Sequence, residues 1–492
     1  MADERKEEFV EPAKKVSGLD KFFGITASGS TFRVEIMAGV TTFMAMVYIL
    51  MVNAGMFQLV IGGDDPYGAA YIATAIGAVA GTLLMALLAK MPLAQASGMG
   101  VNAFIVYSLI LGNTGLTYAN CMVFTLLDGL IFVVLTATGL RQKIFEAIPK
   151  AVRFAIPVGI GLFIAFIGMQ NAGIIVNDNS TLVAFASFNV LASGFTYGAI
   201  VAPLVALIGV LLIAVLSKKD VKGAILWGIL GSAVLYYALT GLGCAFSDPV
   251  CREFYSKISL SNPFGAFAAW GKDSVGKVFT EGFNFTNYFG IEGNSVGTLV
   301  VLIITTALSL CMIDMFDTIG TLYGACSKGN LLDENGTPLR MNQMMASDAV
   351  ATCVGAIAGT STVTTFVESS SGVAAGGRTG FTALVTAILF AIAMFLSPIA
   401  QLIPSCATAA ALIWVGVLMM TSVVNVDWND PVDAIVAFLT FIVMVLGYSI
   451  SKGIGIGIIA FVLAKLCTGK IKEISVPTWV IFVLFVATFV LT

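Results

Sequence analysis

Apolar runs of about 17–25 residues recur along nearly the whole chain, separated by short polar turns, which is the pattern of helices that cross a hydrocarbon core. The pattern predicts segments near 34–57, 70–90, 96–111, 118–139, 154–175, 199–216 and 223–243. It predicts a second set near 296–325, 346–359, 361–376, 379–397, 407–424, 432–449 and 453–468. That makes about fourteen, seven on each side of a long polar loop over residues 244–295. Segments 96–111 and 361–376 are short and interrupted by Gly and Ser. A last apolar piece, 477–492, would reach ~22 Å as a helix. That falls short of a ~30 Å hydrocarbon core, so it is expected to be partial or interfacial.

Polar residues inside the apolar pattern carry the candidate chemistry. The stretch GTSTVTTFVESSSGVAAGGRTG, residues 359–380, holds Glu368 among Thr362, Thr364, Thr365, Ser369, Ser370 and Ser371. An ionisable side chain at a helix centre costs roughly 2.5–3.5 kcal/mol on insertion scales. Irregular backbone at that depth survives only where protein or a water-filled cavity surrounds it. Backbone N–H groups at a helix start after Glu368 are expected to face a polar ligand. The competing structural role for Glu368 is an ion pair with Arg378. MIDMFDTIGT, residues 312–321, brings Asp314 and Asp317 onto one helical face within the eighth segment. QASGMGVNAF, residues 95–104, offers close backbone approach at Gly98 and Gly100, and a donor plus an acceptor at Asn102. Gly98 and Gly100 alone equally suit tight helix packing.

Composition narrows the function classes. Of 492 residues 58% are hydrophobic and 11% are charged, so the chain reads as an integral polytopic membrane protein. A net charge of −3 with no basic stripe argues against nucleic acid as a partner. The N-terminus is too charged for a cleavable signal peptide. No histidine is present, which excludes HExxH zinc sites, histidine triads and histidine proton relays. Proton chemistry then falls to carboxylates. No GxxxxGK[ST] loop or GxSxG elbow is present. A pair of acids leaves an intramembrane aspartyl enzyme as a different-class alternative. Of the eight cysteines, Cys244 and Cys251 flank a polar segment and leave a disulfide open, if that loop faces an oxidising compartment.

The two halves resemble each other weakly: residues 148–168 pair with 403–423, and the Pro203 segment with the Pro431 segment. Seven segments per copy make the copies inverted, which puts a transporter's site near the midplane at discontinuous helices, here the third of each half. The positive-inside rule places Arg33, Lys90, Arg141, Lys143, Lys150, Arg153, Lys218, Lys219, Lys222, Lys328, Arg340, Arg378, Lys470 and Lys472 on the cytoplasmic side. Both termini are therefore expected in the cytoplasm.

FDTIGT (316–321), TSTVTTFVESSSGVAAGGRTG (360–380), SGMGVNAF (97–104) and EIMAGVTTFMAMVYILMVN (35–53) together resemble the nucleobase–cation symporter-2 family. They are most similar to its purine branch of hypoxanthine/guanine/adenine permeases. The resemblance implies an all-α fold of fourteen spans in two inverted seven-span repeats, with short strands in the broken third and tenth spans. It implies a cytoplasmic segment 1–33, a core domain of 34–139 with 296–397, and a gate domain of 140–243 with 398–470. The loop 244–295 and a short C-terminal segment 471–492 complete the chain. Carried onto this sequence, Asp317 and Glu368 match the substrate carboxylates, Asn102 the polar residue of the third span, and Gly98 its close-approach glycine. Ser369, Thr321 and Phe366 join the expected substrate site, and Asp317, Glu368 and Asp314 the expected proton-coupling groups. Two departures stand out: Ser97 where proline is usual, and Thr321 where some relatives carry histidine.

The resemblance thus implies no cofactor and no enzymatic activity, but a secondary importer of purine nucleobases in the cell membrane. Its coupling ion would be H+, with Na+ the rival, and a homodimer through the gate domain is admitted. Carboxylates would accept ring N–H groups, in charge-assisted bonds roughly twice as strong as neutral ones. Phe104 or Phe366 would cover the ring face. Uracil, xanthine or an anion is the alternative cargo, an anion being expected to need a cation in the pocket.

Overall fold

The computed structural model describes residues 17–491, apart from 113, 140–147, 190–195, 257, 259–261 and 335–336. The first sixteen residues of the N-terminal segment, and Arg141 and Lys143 of the cytoplasmic cation set, lie outside the described residues. Among the described residues, ten helices are long and apolar enough to cross a membrane. In the first half these are α1 (Phe32–Phe57), α2 (Pro66–Ala89), α4 (Tyr118–Ala137), α5 (Lys150–Asn171), α6 (Tyr197–Lys218) and α7 (Ala224–Ala245), with the shorter α3 (Met99–Ile110) between α2 and α4. The second half has α8 (Val296–Lys328), α11 (Gly380–Gln401), α12 (Ser405–Asn425) and α14 (Ile450–Cys467). Its other predicted segments coincide with α9 (Met341–Ala358), α10 (Ser369–Ala374) and α13 (Pro431–Leu446). The chain is a multi-pass, all-α membrane protein.

Polar caps at the turns set where these helices begin. The Thr31 hydroxyl accepts from the Val34 amide at the start of α1, and the Asp65 side chain from Gly68 at the start of α2, with Pro66 at the first helical position. Thr117 with Asn120 opens α4, and Ser295 with Thr298 opens α8, each pair capping the other reciprocally.

The two broken segments meet in the interior. β1 (Gln95–Ser97) leads into α3, and β4 (Val363–Thr365) leads towards α10; the two strands pair antiparallel, Ala96 opposite Thr364. The Gly98 amide donates to the Thr362 carbonyl at 2.9 Å and the Phe366 amide to the Ala94 carbonyl at 3.1 Å, so the ladder extends past both ends. Each strand is also held by a threonine from the second helix of its own half. Thr82 Oγ1 bonds the Gln95 amide and carbonyl (3.1 and 3.0 Å), and Thr352 Oγ1 bonds those of Val363 (3.2 and 3.4 Å). This matched pair of clamps is how two inverted halves satisfy strand backbone where no water is on hand.

Helices α1–α4 pack with α8–α11, and α5–α7 pack with α12–α14. In the second group α5 crosses α12 at two glycines: a Cβ on Gly416 would stand 2.4 Å from the Gly161 carbonyl. These are the two segments whose sequences pair across the repeat.

Several local expectations change. The 244–295 loop contains the short helices Pro249–Ser256, Pro263–Asp273, Lys277–Thr280 and Thr286–Phe289, and Trp270 Nε1 anchors it to the Ala358 carbonyl at 2.8 Å. Cys244 and Cys251 are free thiols rather than a disulfide; the Cys251 sulfur is turned onto Gly243, where a Cβ would sit 2.4 Å away. A hairpin absent from the apolar pattern, β2 (Ile175–Asp178) and β3 (Leu182–Phe185), follows α5. The terminal apolar piece is one regular helix, α15 (Val476–Leu491), packed on α8 and α14.

Candidate functional site

A cavity of about 430 Å3 lies between the two helix groups. Pro157 and Ile160 of α5 and Val415, Leu418 and Met419 of α12 form one wall; Phe316, Asp317, Gly320 and Thr321 of α8, with Val367, Glu368 and Ser370, form the other. The strands explain this meeting. Breaking the helix leaves the turn Phe366–Glu368 between β4 and α10, and this turn brings Glu368 to the cavity wall.

Asp317, Glu368 and Thr321 line the cavity, and the Asp317 and Glu368 carboxylates are close enough to interact electrostatically. Tyr48 of α1 donates to Glu368 Oε1 at 2.7 Å. Gly98 stands against the Thr364 and Thr362 hydroxyls, at 3.2 and 3.4 Å from the position of a Cβ. Thr364 also faces Asp317, and the buried Thr362 hydroxyl has no partner among the described residues. Gly98, Thr362 and Thr364 are all buried behind the cavity and do not line it.

Other expectations shift. Asn102 does not line the cavity: its Oδ1 accepts from Ser97 Oγ at 3.0 Å and from Ser361 Oγ, because the helical turn after Gly98 carries it past the strand. Ser97 uses its hydroxyl in that network and also meets Thr360 Oγ1 at 2.8 Å. Ser369 is likewise structural, accepting from the Ala94 amide at 3.0 Å, and the adjacent Ser370 faces the cavity instead. Asp314 is fully buried one turn before Asp317 and does not line the cavity, since it lies about 4.5 Å farther along the α8 axis, beyond the cavity's end on that helix. Phe104 and Phe366 are both buried in the core; the aromatic ring on the cavity is Phe316.

The amides after Glu368 are committed rather than offered to a ligand. Those of Ser369, Ser370 and Ser371 donate to the carbonyls of Phe366, Val367 and Glu368 at 3.1, 3.0 and 2.9 Å. Nor does Arg378 pair with Glu368: its guanidinium donates to the Val373 and Gly377 carbonyls at 2.7 and 2.8 Å.

Two residues escaped the sequence reading. Tyr48 sits in an unbroken apolar run, so only its position in the 35–53 motif could have drawn notice. Lys328 was read as a cytoplasmic end residue, yet it lines the cavity and donates to Ser370 Oγ at 3.2 Å. The cavity therefore holds an ammonium as well as its acids.

Comparison with known proteins follows this geometry. Residues 33–456 match the Xan_ur_permease family, described as a permease family. The guanine/hypoxanthine permease PbuG of Bacillus subtilis (strain 168) is 37% identical over 95% of this chain and 99% of its own. The adenine permease AdeP of Escherichia coli (strain K12) is 32% identical over 95% of each. The transmembrane domain of the cyanobacterial bicarbonate transporter BicA shares the fold at a TM-score of 0.56 and 15% identity, over 85% of this chain and 96% of that one.

Proposed function

The chain belongs to the Xan_ur_permease family, a transporter and not an enzyme, and from that premise we propose that it imports purine nucleobases by cation symport. The observation that carries this reading is a cavity between the two helix groups, apolar on its α5 and α12 side, with the Glu368 and Asp317 carboxylates on the other. A purine is planar and apolar on its faces, with N–H donors and ring acceptors on its edges. Carboxylates accept the N–H groups in charge-assisted bonds, the Thr321 and Ser370 hydroxyls on the cavity add donors and acceptors, and Phe316 offers a ring to the base's face. Relatives named as guanine/hypoxanthine and adenine permeases support the purine class.

The coupling ion is a proton in this proposal. Glu368 and Asp317 sit together within the membrane, where two adjacent negative charges are costly, so a proton taken up by one of them favours the loaded state. Helices α1–α4 and α8–α11 form the moving core, and α5–α7 with α12–α14 form the gate. Both termini face the cytoplasm of the cell membrane by the positive-inside count. The anion reading gains from Lys328, but one ammonium against two carboxylates leaves the site net acidic.

The test is uptake of radiolabelled hypoxanthine, guanine and adenine in cells lacking their own permeases. Purine uptake that collapses with a protonophore and is lost in Glu368→Gln and Asp317→Asn is expected. Wild-type rates in both variants would remove the assignment, and uptake of uracil or bicarbonate in place of purines would replace it.

A further inference from the structure

We infer that Lys328 reads the acceptor edge of a 6-oxopurine, making the cavity selective for hypoxanthine and guanine over adenine; this rests on the purine reading above. Lys328 lines the same cavity as Asp317 and Glu368, from the last turn of α8. Residues 317 and 328 differ by eleven, three turns of helix, so both stand on one face about 16 Å apart along the axis. Between them Gly320 and Gly324 have only open space where a Cβ would stand. On α8 the cavity between the ammonium and the carboxylates is lined by Gly320 and the short side chain of Thr321. A helical side chain leans back towards the N-terminus, which carries Nζ towards Asp317 and shortens the gap towards the reach of a base hydrogen-bonded at both ends.

The hydrogen bonding of Lys328 leaves it capacity. Its partner among the described residues is the Ser370 hydroxyl at 3.2 Å, and it takes part in none of the ion pairs there. An ammonium has three N–H donors, so two remain for a ligand.

A 6-oxopurine matches this polarity. Its O6 and N7 are neighbouring acceptors, a pair that lysine and arginine recognise on guanine. Its N1–H, and the amino group of guanine, are donors for carboxylates at the cavity's other end. Adenine places an amino group where O6 would be, and that donor would face the ammonium. Opposite ends of the cavity thus carry opposite hydrogen-bonding character, and the base is oriented by both. The rival role for Lys328 is purely structural, a cation at the C-terminal end of α8. That role would make every base suffer alike when the charge is removed.

The experiment measures KM for hypoxanthine, guanine and adenine in permease-deficient cells, for the wild type, Lys328→Met, Lys328→Arg and Ser370→Ala, with surface abundance followed by a tag. In Lys328→Met, KM for both oxopurines is expected to rise about tenfold or more, the scale of a lost hydrogen bond to a charged group. KM for adenine should stay within about twofold or fall, and Lys328→Arg should restore the oxopurine preference. A hypoxanthine analogue with carbon at position 7 should lose affinity for the wild type and not for Lys328→Met. An unchanged oxopurine-to-adenine ratio in Lys328→Met overturns the inference, as does a wild type that prefers adenine. If Lys328→Met fails to reach the surface, a wild-type ratio in Ser370→Ala together with equal affinity of the wild type for hypoxanthine and its 7-carbon analogue overturns it. A wild type that takes up no purine at all removes instead the reading beneath it.

Discussion

The Tyr48 hydroxyl donates a 2.7 Å hydrogen bond to Glu368 Oε1, joining residues 320 positions apart. Tyr48 is fully buried in α1, so the bond ties a cavity-lining carboxylate to the core behind it. A charge-assisted bond of this kind is worth about 1.5–3 kcal/mol. Tyr48→Phe keeps the ring and removes the donor. KM for the transported base is therefore expected to rise about three- to tenfold, with surface abundance unchanged, in a radiolabel uptake assay. An unchanged KM would show that Glu368 is oriented without Tyr48.

Glu35 is buried and accepts four hydrogen bonds from the turn before α11: the Arg378 and Thr379 amides at 3.0 and 3.3 Å, and the Thr379 and Thr382 hydroxyls at 2.9 and 2.5 Å. It pins the start of α1 to the end of the 359–380 stretch. Glu35→Ala strands those donors, at a cost of about 1–3 kcal/mol or more. The detergent-solubilised variant is expected to unfold several degrees lower, and Glu35→Gln to fall between it and the wild type. KM should be little changed in protein that reaches the surface, which separates this acid from Glu368.

Two glycines of the broken segments should respond differently to alanine. A Cβ on Gly98 meets nothing nearer than 3.2 Å, but it would cover the Thr364 and Thr362 hydroxyls. A Cβ on Gly372 would stand 1.9 Å from Thr42 Oγ1 and 2.7 Å from the Ala38 carbonyl. Gly98→Ala is expected to keep folded protein and to weaken uptake affinity indirectly, by crowding the Thr364 hydroxyl that faces Asp317. Gly372→Ala is expected to lose folded protein, because α10 can no longer lie against α1. Size-exclusion yield and uptake KM distinguish the two.

Outside the spans, Glu473 accepts from Lys465 Nζ at 2.6 Å, and that bond holds its carboxyl below the usual carboxylate range. A depressed folded-state value means the contact stabilises above the unfolded-state pKa of Glu and is lost as pH falls through the folded value. Melting of the wild type and of Glu473→Gln should therefore converge at acidic pH, with a small gap at neutral pH that high salt narrows.

Much of the architecture was legible in the chain itself, because lipid imposes a simple rule. An apolar run of the right length must close its backbone bonds internally, so helices and their turns could be read from hydropathy. The two interrupted segments were legible for the same reason in reverse, since Ser, Gly and an acid at that depth need a partner that only the other half could supply. Asp317, Thr321 and Glu368 stand on the cavity. Asn102, Gly98, Ser369, Asp314 and Phe366 do not, because each is decided by a shift of a residue or a turn along or around its helix or strand, finer than composition can fix. The β2–β3 hairpin was missed because its residues are exposed and carry no buried period.

By itself, then, the sequence determined that the chain threads a membrane many times, in two related halves, with a carboxylate, Glu368, at one of the two breaks. Hydrophobicity and charge act locally, and each stretch declares them without its neighbours. The tertiary structure alone decided that Tyr48 holds Glu368, that the amides after Glu368 are spent within their own turn, and that Lys328 shares the cavity with the acids. Those facts depend on where a side chain from one span ends relative to another, and packing across the strand pair sets that distance.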